Sequence, residues 1–201
     1  MDLYIFDFDD TLAITDSMIK LVRDGEETFL TSHEFAAYRP KPGDELDFTD
    51  FNRVGGSLIE ATANEMEKAI NDVGRNNVFI VTARSIAPPV VEWLSSRVAT
   101  VPEVIATEGS EGKAPWLMDK LNSEEFESVI VYEDCQKNIR MLKNTVEEFN
   151  KNNDSNVLYS AMCILPDQRM VQVETRWKDE NVISETDWRE ITRNFVRSLW
   201  K

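Results

Sequence analysis

Two carboxylates spaced two apart, Asp7 and Asp9, follow directly on the apolar run Leu3 to Phe6, with Thr11 and Leu12 just beyond. Side chains two apart on an extended chain point the same way. A buried strand ending in Asp-x-Asp-x-Thr therefore delivers two acids to one rim of a sheet. One acid can attack an electrophile while the other shuttles a proton. Taken alone, the same residues also fit a surface turn in an acidic protein, and the rest of the chain must decide.

Three further segments follow in a fixed order. The apolar run Val78 to Val81 ends in the hydroxyl of Thr82, with Ala83 and Arg84 next. Lys113 comes after the turn-rich stretch EGSEG, at the head of a helical pattern through Trp116, Leu117 and Leu121. The run from Ser128 ends in the adjacent acids Glu133 and Asp134, with Asn138 about one helical turn later. Nucleophile strand, hydroxyl strand, lysine and acidic strand end, in this order, resemble the four-motif signature of the haloacid dehalogenase superfamily over about residues 1–145. FDFDDTL, VTAR and the small lid expected between them look nearest to its phage-type and nucleic-acid-repair-like phosphatase branches.

The resemblance implies a fold, a reaction and a set of roles. Asp7 is the expected nucleophile, forming an aspartyl-phosphate, and Asp9 the expected general acid and base. Thr82 would donate to a phosphoryl oxygen, and Lys113 would balance the charge of Asp7 and the transferring group. Mg2+ is the implied cofactor, held by Asp7, the backbone carbonyl of Asp9, Asp134 and, directly or through water, Glu133. Thr11, Arg84 and Asn138 fall on the substrate side. Two roles remain open for Asn138, orienting a metal-bound water or starting the helix, and two for Arg84, a phosphate contact or a surface ion pair. Asp10 stands where the common form of the first motif has glycine.

The elements that must position these groups follow from periodicity. Leu3 to Phe6, Val78 to Val81, Val104 to Thr107 and Val129 to Tyr132 read as core strands alternating with helical patterns. The expected fold is α/β, a Rossmann-like parallel sheet with helices on both faces, in one domain over residues 1–201. Ile59, Ala63, Met66, Ile70 and Val73 form one helical stripe stopped by Gly74. A second helix, opened by Pro88 and Pro89, should turn Val90, Val91 and Leu94 inward, and a third carries Ile139, Leu142, Val146 and Phe149. Residues 13–54 read as irregular, a small lid or flap over the Asp7 crevice. There Phe48, Phe51 and Arg53 either contact substrate or pin the loop to the core. Residues 154–201 read as a strand pair, Val157 to Leu165 and Met170 to Thr175, followed by an amphipathic covering helix with Trp188, Ile191, Phe195 and Leu199 inward.

Composition bounds the partners. With 22 Lys and Arg against 37 Asp and Glu, the formal net charge is −15. Such a surface disfavours an extended nucleic-acid track but admits a phosphorylated small molecule or a nucleic-acid terminus. Two cysteines, Cys135 and Cys163, give no disulfide framework, and acids beside Cys135 argue against a nucleophilic thiol. The single histidine, His33, reads as part of a short helix capped by Thr31 or Ser32. With no long apolar stretch, the expectation is a soluble cytoplasmic protein without membrane attachment. Against the phosphatase expectation stands a catalytically idle phospholigand-binding or scaffold protein of the same fold; Asp7, Asp9, Thr82 and Lys113 are all present.

Overall fold

The computed structural model describes residues 1–175, so the expected C-terminal helix lies outside the described residues. At the centre is β1 (Asp2–Phe6), whose side chains alternate between two separate cores. Leu3 and Ile5 join one cluster, while Phe6 and the partly buried Tyr4 join the other. β7 (Val78–Thr82) divides the same way, Phe79 and Val81 against Val78 and Ile80. In β9 (Ser128–Glu133), Val129 and Val131 oppose Ile130 and Tyr132. Strands apolar on both sides need cover on both faces. Helices α4 (Lys113–Ser123) and α5 (Gln136–Asn153) supply it on one face, and α2 (Glu60–Val73) with α3 (Pro88–Ser95) on the other.

The six-stranded sheet has the order β11-β10-β9-β1-β7-β8, where β8 is Glu103–Ala106, β10 Leu158–Ile164 and β11 Met170–Thr175. Every neighbouring pair is parallel except β10 with β11, the antiparallel hairpin expected from the sequence. From β1 the chain builds outward through β7 and β8, then crosses back to β9 and β10 on the opposite side. Beside β1, where the winding reverses, the carboxyl ends of the strands open a crevice suited to ligands. α3 departs in one detail from the expected pattern. Val90, Trp93 and Leu94 are buried, at spacings of three and four, while Val91 is exposed because it falls off that stripe.

Residues 13–54, expected to be irregular, instead carry ordered strands. β2 (Ala13–Thr15) pairs antiparallel with β6 (Gly56–Leu58), so the insert leaves and rejoins the core through a two-stranded neck. Gly56 is required there: at φ 105 a Cβ would sit 2.0 Å from the Ile14 carbonyl oxygen. Beyond the neck, β3 (Met18–Arg23) lies between β4 (Glu26–Thr31) and β5 (Glu45–Asp47) in an antiparallel sheet. The β3–β4 turn is Asp24-Gly25, with φ of 52 and 82, the doubly positive pair whose twist suits a tight hairpin. Ile19 and Leu21 alternate inward and are buried. Thr31 caps the short helix α1 (Ser32–Ala37), which contains His33, through a capping box with Glu34. Among the described residues no helix is long and apolar enough to cross a membrane.

Candidate active site

Asp7 follows β1 directly, and its backbone N–H still donates to the Tyr132 carbonyl of β9, so the two strand ends are tied side by side. Into the same crevice α4 sends its first residue. Lys113, only 1% exposed, donates from Nζ to Asp7 Oδ1 at 2.7 Å and to Glu133 Oε2 at 2.8 Å. Gly112 makes that entry possible, because a Cβ there would meet the Thr107 carbonyl oxygen at 2.3 Å. Burial works against the lysine charge, yet Asp7 and Glu133 outweigh it and hold the ammonium pKa above its ordinary value. Asp7 is pushed up to about 7 by burial first and Glu133 second, against the pull of Lys113. Burial, then Glu133 and Asp7, also raise Asp134 well above the ordinary carboxylate range.

Asp7, Glu133 and Asp134 offer carboxylate oxygens within 4.8 Å of one another. Three acids therefore gather near one ammonium, and burial first, then the neighbouring acids, raises the pKa values of Asp7 and Asp134. A hard divalent cation such as Mg2+ fits this donor set. The acids are not equivalent. Glu133 is already engaged on both oxygens: Oε2 accepts from Lys113, and Oε1 accepts from Asn138 Nδ2 at 2.9 Å and from the Cys135 N–H at 3.2 Å. The Asp134 carboxylate accepts no hydrogen bond from any described residue and is open to a cation. Asn138, in the first turn of α5 and 5% exposed, donates to Glu133 and holds it in place.

Asp9 turns away from this cluster toward Arg84, which lies just past β7. The guanidinium grips both carboxylate oxygens, Nη2 to Oδ1 at 2.7 Å and Nε to Oδ2 at 2.9 Å, and Thr15 Oγ1 also donates to Oδ1. The remaining N–H groups go to the carbonyls of Phe51 and Arg53 and to Ser17 Oγ. Five donors thus meet five acceptors. In this arrangement Arg84 has no N–H left for a phosphate, and at 3% exposure it is no surface ion pair either. It ties Asp9 to the insert, with Phe8 and Phe51 flanking its plane at 5.4 and 4.8 Å from the ring centroids. Thr15 and Ser17, the other partners in this tie, carry no signal in spacing or motif.

Thr82 ends β7 fully buried. Its Oγ1 accepts from the Arg84 backbone N–H at 3.3 Å, and its own O–H makes no hydrogen bond to a described residue. Thr11 is also fully buried, and its hydroxyl has no partner among the described residues. Asp10 adopts φ 59, the left-handed region that aspartate tolerates better than most residues, which explains why it can stand at a position suited to glycine. Burial pushes the Cys135 thiol pKa up, away from the thiolate a nucleophile requires. The structure brings Asp7, Lys113, Glu133, Asp134 and Asn138 into one cluster and Asp9 with Arg84 into an adjoining one. In comparisons with known proteins, no protein-family model, no curated protein and no solved structure matches the chain.

Proposed function

We propose that the chain is a Mg2+-dependent phosphomonoester hydrolase of the haloacid dehalogenase type. Its substrate would be a phosphorylated small molecule such as a nucleotide, or the 3′ end of a polynucleotide. The observation that carries this reading is the buried Asp7–Lys113–Glu133 chain with Asp134 beside it, at adjoining strand ends on the switch point of the sheet. A purely structural ion pair would have no need of a third, unpaired acid.

The chemistry divides among the residues as follows. An Asp7 carboxylate oxygen attacks phosphorus in line, forming the Asp7–phosphorus bond as the bond to the leaving oxygen breaks. Asp9 gives that oxygen a proton and then takes one from the water that cleaves the aspartyl-phosphate, returning Asp7 and releasing phosphate. Arg84 fixes the plane of the Asp9 carboxylate. Lys113 supplies fixed countercharge beside the reacting oxygen, and the free Thr82 O–H is a donor for a phosphoryl oxygen. Asp7, Asp134 and the Asp9 carbonyl would hold Mg2+, with Glu133 reaching it through water. When bound, the ion supplies charge stabilisation to the transferring group.

A screen of phosphorylated compounds, nucleoside monophosphates and 3′-phosphorylated oligonucleotides among them, tests the reading. Release of inorganic phosphate should require Mg2+, stop with chelator and vanish in Asp7→Asn. Absence of release from every compound, or release unchanged by Asp7→Asn, would overturn it.

A further inference from the structure

The insert is joined to the core by two crossings of the chain, and both are fastened where they cross. On the way out, β2 ends at Thr15, whose Oγ1 donates to Asp9, and β3 begins at Met18, whose N–H donates to the Asp50 carboxylate. Between them lie Asp16 and Ser17. Ser17 is 1% exposed; its hydroxyl accepts from Arg84 Nη2 at 3.1 Å and donates to the Arg53 carbonyl. On the way back, the Phe51 and Arg53 carbonyls accept from Arg84 Nη1 at 2.8 and 2.9 Å. Val54 and Leu58 then pack against the core, and the Ile59 N–H donates to the Leu12 carbonyl as α2 begins.

A lid that swings over a crevice needs a hinge at its root. This root holds a buried guanidinium that donates to both oxygens of Asp9 and, with its other N–H groups, to Ser17, Phe51 and Arg53 of the insert. Phe8 from the core and Phe51 from the insert flank it. A swing would strip hydrogen bonds from a charge shielded from water, which costs far more than parting an exposed pair. We propose that the insert is a fixed buttress for Asp9 and not a closing lid: Ser17 and the Phe51–Arg53 turn hold Arg84, and Arg84 holds the carboxylate plane. Ser17 is then a positioning residue for proton transfer, two bonds removed from the leaving oxygen. The inference rests on the phosphatase reading for the role of Asp9 and deepens it, since the small sheet beyond the neck becomes part of what orients the acid.

Hydrogen exchange of the full chain, read by mass spectrometry, tests the fixed root without any substrate. Peptides over 13–18 and 54–59 should exchange within about tenfold of the rate of α2, and Arg84→Gln should speed them by about tenfold or more while β9 is unchanged. A chemical tether tests the absence of closure. Asn52 and Glu92 line the groove of about 550 Å3 between the insert and α3. Asn52→Cys and Glu92→Cys, joined by a bifunctional maleimide in a Cys135→Ser background, should leave kcat and KM as in the unjoined chain. Ser17→Ala should lower kcat about three- to tenfold for a poor leaving group and hardly at all for an aryl phosphate, with KM unchanged. Neck peptides that exchange about a hundredfold faster than α2, or at a rate indifferent to Arg84→Gln, would overturn the proposal. So would turnover lost on joining, or an equal Ser17→Ala loss on both leaving groups. The phosphatase reading is judged by wild-type phosphate release and the fixed root by hydrogen exchange, so each can fail alone.

Discussion

Raising the pH in the presence of chelator should destabilise the chain through Asp7. Its pKa stands at about 7 in the fold against 3.8 for the unperturbed side chain. Between those values the folded state holds a proton that the unfolded chain has lost, so stability falls as pH climbs through that window. A shift of roughly three pKa units at 1.36 kcal/mol each sets the scale at about 4 kcal/mol. For a domain of this size that is roughly 8–16 °C of melting temperature. Asp44, Asp47 and Asp50 act in the opposite direction. Hydrogen bonds from Arg23, Thr49 and the Met18 backbone respectively lead in holding their pKa values down, so they lose stability as pH falls. A single melting series mixes the two effects, and the comparison that isolates Asp7 is with Asp7→Asn, which mimics its neutral form. The two chains should melt together near pH 4 and separate, the variant higher, by on the order of 10 °C near pH 8. Excess Mg2+ should narrow the gap by neutralising the crowded acids. A difference that stays flat with pH, or a gap that Mg2+ leaves unchanged, would refute the argument.

Other outcomes follow from the same geometry. Asp134→Ala should raise the Mg2+ concentration needed for half-maximal turnover far more than Glu133→Gln, because both Glu133 oxygens already accept hydrogen bonds from Lys113, Asn138 and the Cys135 N–H; a metal titration of activity would show a reversed order if the assignment is wrong. Lys113→Met leaves the buried Asp7 and Glu133, with the half-buried Asp134 beside them, without countercharge, and urea unfolding at pH 8 in chelator should register a loss of about 3–5 kcal/mol, shrinking at pH 5 as Asp7 and Asp134 take up protons. Arg84→Lys removes the fork on Asp9, so kcat should fall about 10- to 100-fold for a poor leaving group and much less for an aryl phosphate; an equal loss on both would make Arg84 a stabilising residue only. Gly112→Ala should lower stability by about 1–3 kcal/mol and displace Lys113, since its Cβ has no room beside Thr107.

Much of the sheet was legible because its signals are local. Apolar runs that end in polar groups, such as those before Asp7, Thr82 and Asp134, announce both a buried strand and the candidate site residues at its end. The capping of α1 by Thr31 and the stop of α2 at Gly74 were legible for the same reason. The small sheet of the insert was also written locally, in the alternation of Ile19 and Leu21 and in Asp24-Gly25. Its charged, exposed partner strand β4 and the prolines after it obscured the pattern. What no local pattern carries is the Arg84 tie. Its acceptors come from Asp9, Ser17, Phe51 and Arg53, residues that only the folded neck and insert bring together. The division of labour between Glu133 and Asp134 was hidden as well. It depends on Lys113 and Asn138 reaching one acid and leaving the other open.

The central claim is that Asp7 carries the phosphoryl group. Rapid acid quench of the chain incubated with an aryl phosphate and Mg2+, followed by mass spectrometry of the N-terminal peptide, measures this directly. The account predicts the mass of one phosphoryl group on Asp7, removed by hydroxylamine and absent in Asp7→Asn. Turnover that proceeds with Asp7 unmodified at every quench time, or that persists in Asp7→Asn, would contradict it.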